Sequence, residues 1–481
     1  MKDLCMEAVN TAESLSVDYA DIRIVQKRDQ NILMMDMSPK QINDEETAGF
    51  GVRVLKNGAW GFASRSVVNK ENINSVVREA LQVANASMRV LEGKGVKLAN
   101  EPVHKDYFKT PTEIDPFDID INDKIQLLLL VNKKMLNVKH IVKAISGISV
   151  TRRDQFFAST EGSFIETDIY TVNAGFTAVS VKGGDSQDRS FGDYPLNKGW
   201  EHILSLDLVE NAERIAEEAV MKVDADFPEV GKKDLVLDPS HLSLTIHESV
   251  GHATELDRVL GYEANFAGRS FATPEKRGKF RYGSEKVNFV ADNTLPSGLA
   301  TTGYDDEGVE CQRWDIIKNG ILTDYSSTRE VAHLIGEKRS RGSARADGYS
   351  NMPINRIPNL SLMPSDEDIT PEDLIAGVED GILIQGTGSF SIDQMRLNFQ
   401  FGGDLFFKIK NGKKGKMLRD VIYQSITPEF WGSLYAVSGE KYWDPRGFRT
   451  CGKGEPMQLA QMTNGAPYAA FRNINVIRGK E

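Results

Sequence analysis

Two alternating runs, Gly49–Leu55 and Trp60–Arg65, flank Lys56-Asn57-Gly58, and they restrict the fold more than any other stretch of the chain. Asn-Gly takes the positive φ values of a tight reversal without strain, so the pair predicts an antiparallel hairpin. Short apolar runs separated by glycine recur towards the C-terminus. The 41 glycines fall mainly in such turns, which argues for a β-rich body and against disorder. Hydrophobic residues at 40% and charged residues at 26% of 481 supply enough apolar surface for two or three packed domains.

Residues 1–16 are expected to form a helix, followed by strands at Asp21–Val25, Ile32–Met37 and the hairpin. Apolar residues at Ile73, Val76, Val77, Ala80, Leu81, Ala84 and Met88 have helical spacing. Beyond a Pro- and Asp-rich loop (102–122), a helix near Asp123–Leu136 precedes strands at Ala144–Thr151, Phe156–Ser159, Phe164–Val172 and Gly175–Val181. A further helix is expected over Leu206–Val223. Lys232–Asp238 then opens a series of short strands: Lys286–Ala291, Val309–Lys318, Ile321–Tyr325, Asn359–Met363, Gly381–Gln385, Gln394–Phe401 and Asp404–Ile409. Helical pieces at 247–252 and Pro371–Asp380, the latter capped by Thr370, interrupt them. The expected class is α+β. An N-terminal sheet-and-helix domain spans 1–225, with 1–100 and 120–225 as two loosely related units. A β-rich C-terminal domain, 226–481, carries the metal-site helix.

Net charge of -11 argues against a nucleic-acid surface, which needs clustered Lys and Arg. The basic run Lys408–Lys416 has Asn411-Gly412 at its centre and is read as a solvated hairpin turn. Cys5, Cys311 and Cys451 are too few and too far apart for a disulfide framework, so a reducing compartment is expected. Asp3 and Glu7 fall where a signal peptide would be apolar, and Leu127–Val131 is far too short to span a membrane. The expectation is a soluble, cytoplasmic protein.

His247-Glu248-Ser249-Val250-Gly251-His252 is the candidate chemical core. Zinc held by imidazoles makes a nucleophile near neutral pH by acidifying a bound water, while it polarises the carbonyl under attack. His247 and His252 would be ligands and Glu248 the general base. Histidines four apart share one face of an α-helix. Five apart, they diverge by about 140°. Both reach one ion only if the helix widens into a π turn, or starts or breaks there, and Gly251 would ease such a distortion. Two unrelated histidines beside a surface glutamate are the plain alternative. A catalytic zinc needs a third protein ligand. Glu255 is the local candidate and Asp257 is less well placed; Cys311, in an alternating stretch, reads as a half-buried structural thiol, and Cys451 lies in a glycine-flanked loop.

Other residues carry less. Gly386-Thr387-Gly388 lacks the Lys-Ser/Thr of a phosphate loop and reads as a turn. Arg339, Arg341 and Arg345 could bind a carboxylate or lie at a surface, and Tyr304 and Tyr349 receive no role.

The chain resembles the TldD/PmbA family of metallopeptidases, on its TldD branch. The resemblance rests on 247–271 (HESVGHATELDRVLGYEANFAGRSF), 301–312 (TTGYDDEGVECQ), 342–359 (GSARADGYSNMPINRIPN) and 448–458 (FRTCGKGEPMQ), in the family's order. It implies that His247, His252 and Cys451 are the ligands of one zinc ion per chain and that Glu248 is the base; Glu255 then becomes a nearby supporting residue. It further implies cleavage of unfolded or extended peptides inside an enclosed cavity formed by dimerisation, as a homodimer or with a PmbA-like chain. Substrate-binding residues stay unassigned. The rival expectation is a non-catalytic subunit of the gyrase-modulator type that binds a peptide or partner without cutting it.

Overall fold

The computed structural model describes residues 1–91 and 95–479. Helix α1 (Lys2–Ser14) leads into the predicted meander of β1 (Tyr19–Met35), β2 (Ser38–Lys56) and β3 (Ala59–Arg65), then α2 (Lys70–Ser87). There follow β4 (Lys105–Lys109), α3 (Ile121–Leu136), β5 (Ile141–Ser159), β6 (Phe164–Lys182), β7 (Asp185–Gly192), α4 (Trp200–Ser205) and α5 (Leu208–Val223). These strands form one sheet in the order β3-β2-β1-β5-β6-β4, with β7 also paired to β6. Segments 1–100 and 120–225 therefore contribute to a shared sheet.

Side chains alternate across a strand, which gives this sheet two different faces. On one, Ile22, Ile24, Ile32, Met34, Ile148, Val150, Val172 and Ala174 are buried together with residues of the five helices. The other docks at one end onto the loop 303–309. There Gln155 donates to Asp306 at 2.7 Å, and the Arg53 guanidinium joins Asp21 to Glu307.

Three expectations are corrected here. Strands expected as separate pairs are continuous in β1, β5 and β6. Their charged middles do not break the ladder because they pair across it: Arg28 with Asp44 at 2.9 Å, and Arg152 with Asp168 at 3.0 Å. The helix expected over Leu206–Val223 starts at Leu208, because Asp207 before it has a φ of 47° that a right-handed helix does not accommodate. Gln394–Leu397, expected in a strand, is a turn closed by Asp393, whose carboxylate accepts the N–H groups of Leu397 and Asn398.

The C-terminal half contains β8 (Gly231–Leu237), α6 (Pro239–Ile246), α7 (Leu256–Leu260), β9 (Phe289–Asp292), β10 (Arg313–Lys318) and β11 (Ile321–Leu322). It continues with β12 (Ala344–Arg345), β13 (Ile354–Asn355), β14 (Leu360–Leu362), α8 (Pro371–Ala376), β15 (Asp380–Gln385), β16 (Phe390–Ile392) and β17 (Asn398–Gly402). Last come β18 (Leu405–Lys410), β19 (Lys413–Leu418), β20 (Val421–Ile426), α9 (Thr427–Gly432), β21 (Leu434–Val437), β22 (Asp444–Lys453), β23 (Gln458–Ala466) and β24 (Ala469–Arg478). One sheet runs β11-β10-β9-β14-β23-β22; a larger one runs β16-β17-β20-β24-β8-β15-β18-β19, with β21 on β24. Asn411 and Gly412 take φ of 49° and 73°, so the basic run is the expected hairpin turn. Leu242, Ile246, Val250 and Leu256 are buried in a core to which both sheets contribute, including Leu237, Phe289, Phe401 and Met462. The fold is α+β, and its most buried helical segment is the one with the histidines. Among the described residues no helix is long and apolar enough to cross a membrane.

Candidate metal centre

Asp238 starts the helix. Its carboxylate accepts the N–H of His241 at 2.9 Å, and Pro239 takes the first helical position, where no N–H is needed. The helix is regular to Ile246, widens into a π turn over His247–Gly251, and tightens to a 3₁₀ turn over His252–Thr254. The N–H of His252 donates to the carbonyl of His247, five residues back. This wider turn removes the divergence that five-residue spacing imposes on an α-helix, and the two ring centroids lie 4.9 Å apart. Gly251 serves a different purpose from the one expected. Its φ of -55° and ψ of -64° are ordinary helical values, but a Cβ there would stand 3.0 Å from two carbons of Ile357. Close packing against Ile357, and not backbone freedom, is what favours glycine here.

Cys451 arrives from β22 through a bulge. Phe448 opposes Met462 and Cys451 opposes Ala460, so three steps on one strand match two on the other. A plain strand would turn Phe448 and Cys451 to opposite faces; the extra residue turns both towards the histidines. Phe448 lies 5.0 Å from His247, ring centre to ring centre, and the Cys451 Sγ is 3.4 Å from Nε2 of His252. One donor atom from each of His247, His252 and Cys451 lies within 4.8 Å of the others, and all three residues are buried. Ligands of a tetrahedral zinc stand about 3.4–3.8 Å apart. Small side-chain adjustments would close this set on one ion, so the residues fit.

Each imidazole is also held from behind. Asn464 Oδ1 lies 3.4 Å from Nδ1 of His247, and Glu255 Oε2 lies 2.8 Å from Nδ1 of His252. With the protons on Nδ1, both Nε2 atoms are left to ligate. Glu255 is itself fully buried against Lys453 at 3.2 Å and Arg258 at 3.5 Å, which outweigh burial and hold its carboxyl well below the usual range. Asp257 accepts from Lys453 at 2.7 Å. Neither local carboxylate joins the donor set. Burial pushes the Cys451 thiol up, but His252 and Arg356 more than offset this and bring it below its ordinary value. Burial pushes His247 down.

Glu248 faces a cavity of about 670 Å³ that also exposes His247, His252 and Cys451. Its carboxylate accepts from Nη1 of Arg396 at 2.5 Å. Burial raises the Glu248 pKa, and the two histidines and Arg396 together bring it below the usual value. Arg396 is hidden in the sequence because its turn has the look of a strand; Asp393, a turn-former three residues earlier, is the one local signal, and it marks the turn but not the contact. Thr387 and Gly388 line the same cavity, so the turn read as bland borders the site. The remaining candidates have structural partners. Arg339 binds Glu101, Arg341 binds Asp324, and Arg345 donates to the carbonyls of Gln461 and Ile357. Tyr304 donates to Asp106 at 2.7 Å. Burial pushes the Cys311 thiol up to about 11, and neither it nor Tyr304 nor Tyr349 is among the residues lining the cavity.

Family models of PmbA/TldA metallopeptidases match three stretches: domain 1 at residues 20–84, the central domain at 114–225 and the C-terminal domain at 230–478. A metalloprotease of Methanocaldococcus jannaschii is 32% identical over 410 residues, 84% of this chain and 86% of its own. A zinc metalloprotease TldD homolog of Saccharolobus solfataricus is 23% identical over 97% of this chain and 98% of its own. Among solved structures, a Thermotoga maritima protein described as a candidate modulator of a DNA gyrase superposes with a TM-score of 0.78 at 16% identity, over 99% of this chain and 100% of that one. TldE of Thermococcus kodakarensis gives 0.75 at 17%, over 98% and 99%. At such identities the superpositions show the fold alone. The breadth of the sequence matches shows more: the chain belongs to the PmbA/TldD metallopeptidase family.

Proposed function

We propose that this chain is a zinc-dependent peptidase acting on unfolded or extended peptides, with His247, His252 and Cys451 holding one zinc ion and Glu248 as catalytic base. The observation that carries the proposal is the meeting of three buried donors, within 4.8 Å of one another, beside the Glu248 carboxylate in one cavity. Zinc bound there supplies a Lewis acid, which polarises a carbonyl and acidifies water. Glu248 takes the proton of the attacking water and delivers it to the leaving nitrogen as the C–N bond breaks. Arg396 fixes the direction of that carboxylate, and Glu255 and Asn464 orient the imidazoles.

Strands β16 and β22 are the outermost members of their sheets, and both line the cavity. An extended peptide can pair its main chain with such an edge, which favours unfolded substrates over particular side chains. We also propose that two chains enclose the site, as a homodimer or with a PmbA-like partner; family membership and the likeness to TldE support this reading.

Zinc quantification joined to digestion of a denatured polypeptide tests the proposal. Wild type should hold one zinc and cut. Glu248→Ala should keep the zinc and lose hydrolysis by about 10²–10⁴-fold. Full residual activity in Glu248→Ala would remove Glu248 from its role. A non-cutting peptide-binding subunit would instead hold no stoichiometric zinc and bind peptide equally well after chelation.

A further inference from the structure

The cavity at the metal centre does not end there. Beyond Thr450 it meets a second of about 180 Å³, and beyond Arg449 a third of about 340 Å³. Thr450 lines the first two, while Arg449, Asn31, Ser149 and Asn173 line the last two. Both outer cavities lie on the face of the N-terminal sheet that carries no helices. Strand register places Asp29, Thr151 and Thr171 in one row across β1, β5 and β6. Asn31, Ser149 and Asn173 form the next row, and Leu33, Gly147 and Gly175 the one after. The result is a trough lined by short polar side chains in its first two rows and, in the third, by Leu33 with two glycines. From Thr151 to Ile145 it runs about 20 Å, room for about six extended residues.

Thr450 stands between the metal cavity and this trough and Arg449 lies along the trough itself, because the β22 bulge that turns Cys451 inward leaves both outside the ladder. Of the charges around it, Lys27 pairs with Asp29 at 2.8 Å, while Asp193 accepts from the neutral amide of Asn173 at 2.6 Å, a bond that cancels no charge. Arg449 has no hydrogen-bond or ion-pair partner among the described residues. Bulges beside active sites commonly re-aim a side chain, and a guanidinium with free N–H groups recognises a carboxylate.

We propose that the trough is a second binding site, for an extended segment of the substrate polypeptide, and that Arg449 selects an acidic side chain within it. The trough continues past Arg449, so a chain lying there passes the guanidinium instead of ending at it; this favours a Glu or Asp side chain over the terminal carboxylate. The inference rests on the peptide-binding reading of the metal cavity. It makes cleavage depend on a residue away from the scissile bond, although the edge strands beside the metal read only main chain.

The test uses amidated, dye-labelled peptides of about twelve residues, identical except for Glu or Gln at one position moved along the sequence. Binding is measured by fluorescence anisotropy on the full chain carrying Glu248→Gln, which needs no hydrolysis. At one register the Glu peptide should bind about tenfold tighter than its Gln twin. Arg449→Gln should bring that ratio to about one, Arg449→Lys should restore part of it, and Arg449→Glu should reverse it in favour of a Lys peptide. Ser149→Trp, which fills the trough, should weaken both twins together. Equal binding of Glu and Gln peptides at every register, or a ratio that survives Arg449→Gln, would overturn the proposal. A neutral peptide with a free C-terminus that gains affinity through Arg449 would show terminal-carboxylate recognition and overturn it too. If wild type cuts no peptide while Glu248→Gln still ranks the twins, the peptidase reading falls and the site stands. If wild type cuts both twins with equal KM, the site falls and the peptidase stands.

Discussion

A single hydrogen atom decides what residue 251 can be. Its Cβ would stand 3.0 Å from the Ile357 side chain, which would have to give by a few tenths of an ångström in a close-packed interior. Gly251→Ala should therefore cost about 1–3 kcal/mol by overpacking, read as a lower urea midpoint, and adding Ile357→Val should return much of the loss. Equal midpoints for wild type and Gly251→Ala would mean that the helix can shift aside. His241 provides a second test. Fully buried between the carbonyl of Gly386 and the hydroxyl of Tyr423, its imidazole is pushed down to about 4 by burial. An unfolded histidine titrates near ~6.5, so between these values the unfolded chain binds the proton and the folded chain does not. Stability from neutral His241 is thus complete above about pH 6.5, declines as pH falls, and is lost by about pH 4, a difference of about 3 kcal/mol. Denaturation of zinc-free protein across this window, with His241→Gln subtracted, isolates the effect; parallel curves for the two proteins would refute it. Of the site itself, His247, Glu248 and His252 were legible because they are contiguous. Arg396 was not, because its contact crosses 148 positions of chain, and the local turn signal at Asp393 says nothing of that partner.

At the scale of elements, the five-residue histidine spacing called for a helix that widens, starts or breaks at the site, and of these the structure has the π turn. What sustains it could not be read locally. The carbonyl of Ser249 accepts the Tyr282 hydroxyl at 2.5 Å, and that of Val250 accepts the Thr254 hydroxyl at 2.8 Å. Trp431 donates to the Ser249 hydroxyl at 3.0 Å. These donors favour the widened register over an α-helix that would part the histidines. Tyr282→Phe with Thr254→Val removes two of them, each worth about 1–3 kcal/mol at a buried carbonyl. The double variant should lose zinc affinity by at least about tenfold beyond its change in melting temperature, because only the metal site depends on the π register. Zinc affinity that follows stability alone would show that the turn is held by the histidines' own packing. Strand boundaries were the least legible part for a related reason: Lys27–Asn31 looks like a loop in isolation, and only Asp44 and Thr151 on the neighbouring strands make it a strand.

At the scale of the whole molecule, the α+β class was readable from periodicity, whereas the way the N-terminal sheet joins the rest was not. The join includes buried charge. Arg53 is fixed by Asp21 on its own sheet and by Glu307 at 3.1 Å from the opposite half, and Arg23 reaches the carbonyl of Asn351 at 2.6 Å. Composition can show that such charges exist, but not that they face each other across 254 positions. Removing one partner of a buried ion pair strands the other, at a cost of about 3–5 kcal/mol. Arg53→Met should impose that loss on the whole chain, since it leaves Asp21 and Glu307 together without their cation. Replacing all three, with Asp21→Asn and Glu307→Gln added, should recover most of it, because the penalty lies in unpaired charge and not in missing attraction. With Trp200, Trp314 and Trp443 replaced by Phe, single-Trp versions keeping either Trp60, 4.8 Å from Arg53, or Trp431, beside the π turn, can report the two halves separately. If Arg53→Met costs less than about 1 kcal/mol, water reaches the interface and the pair is equivalent to a surface one. If the cost is as large as expected, the same interface sets the distance from the N-terminal sheet to the metal cavity. Arg53→Met should then weaken peptide binding along the trough even where zinc binding is intact.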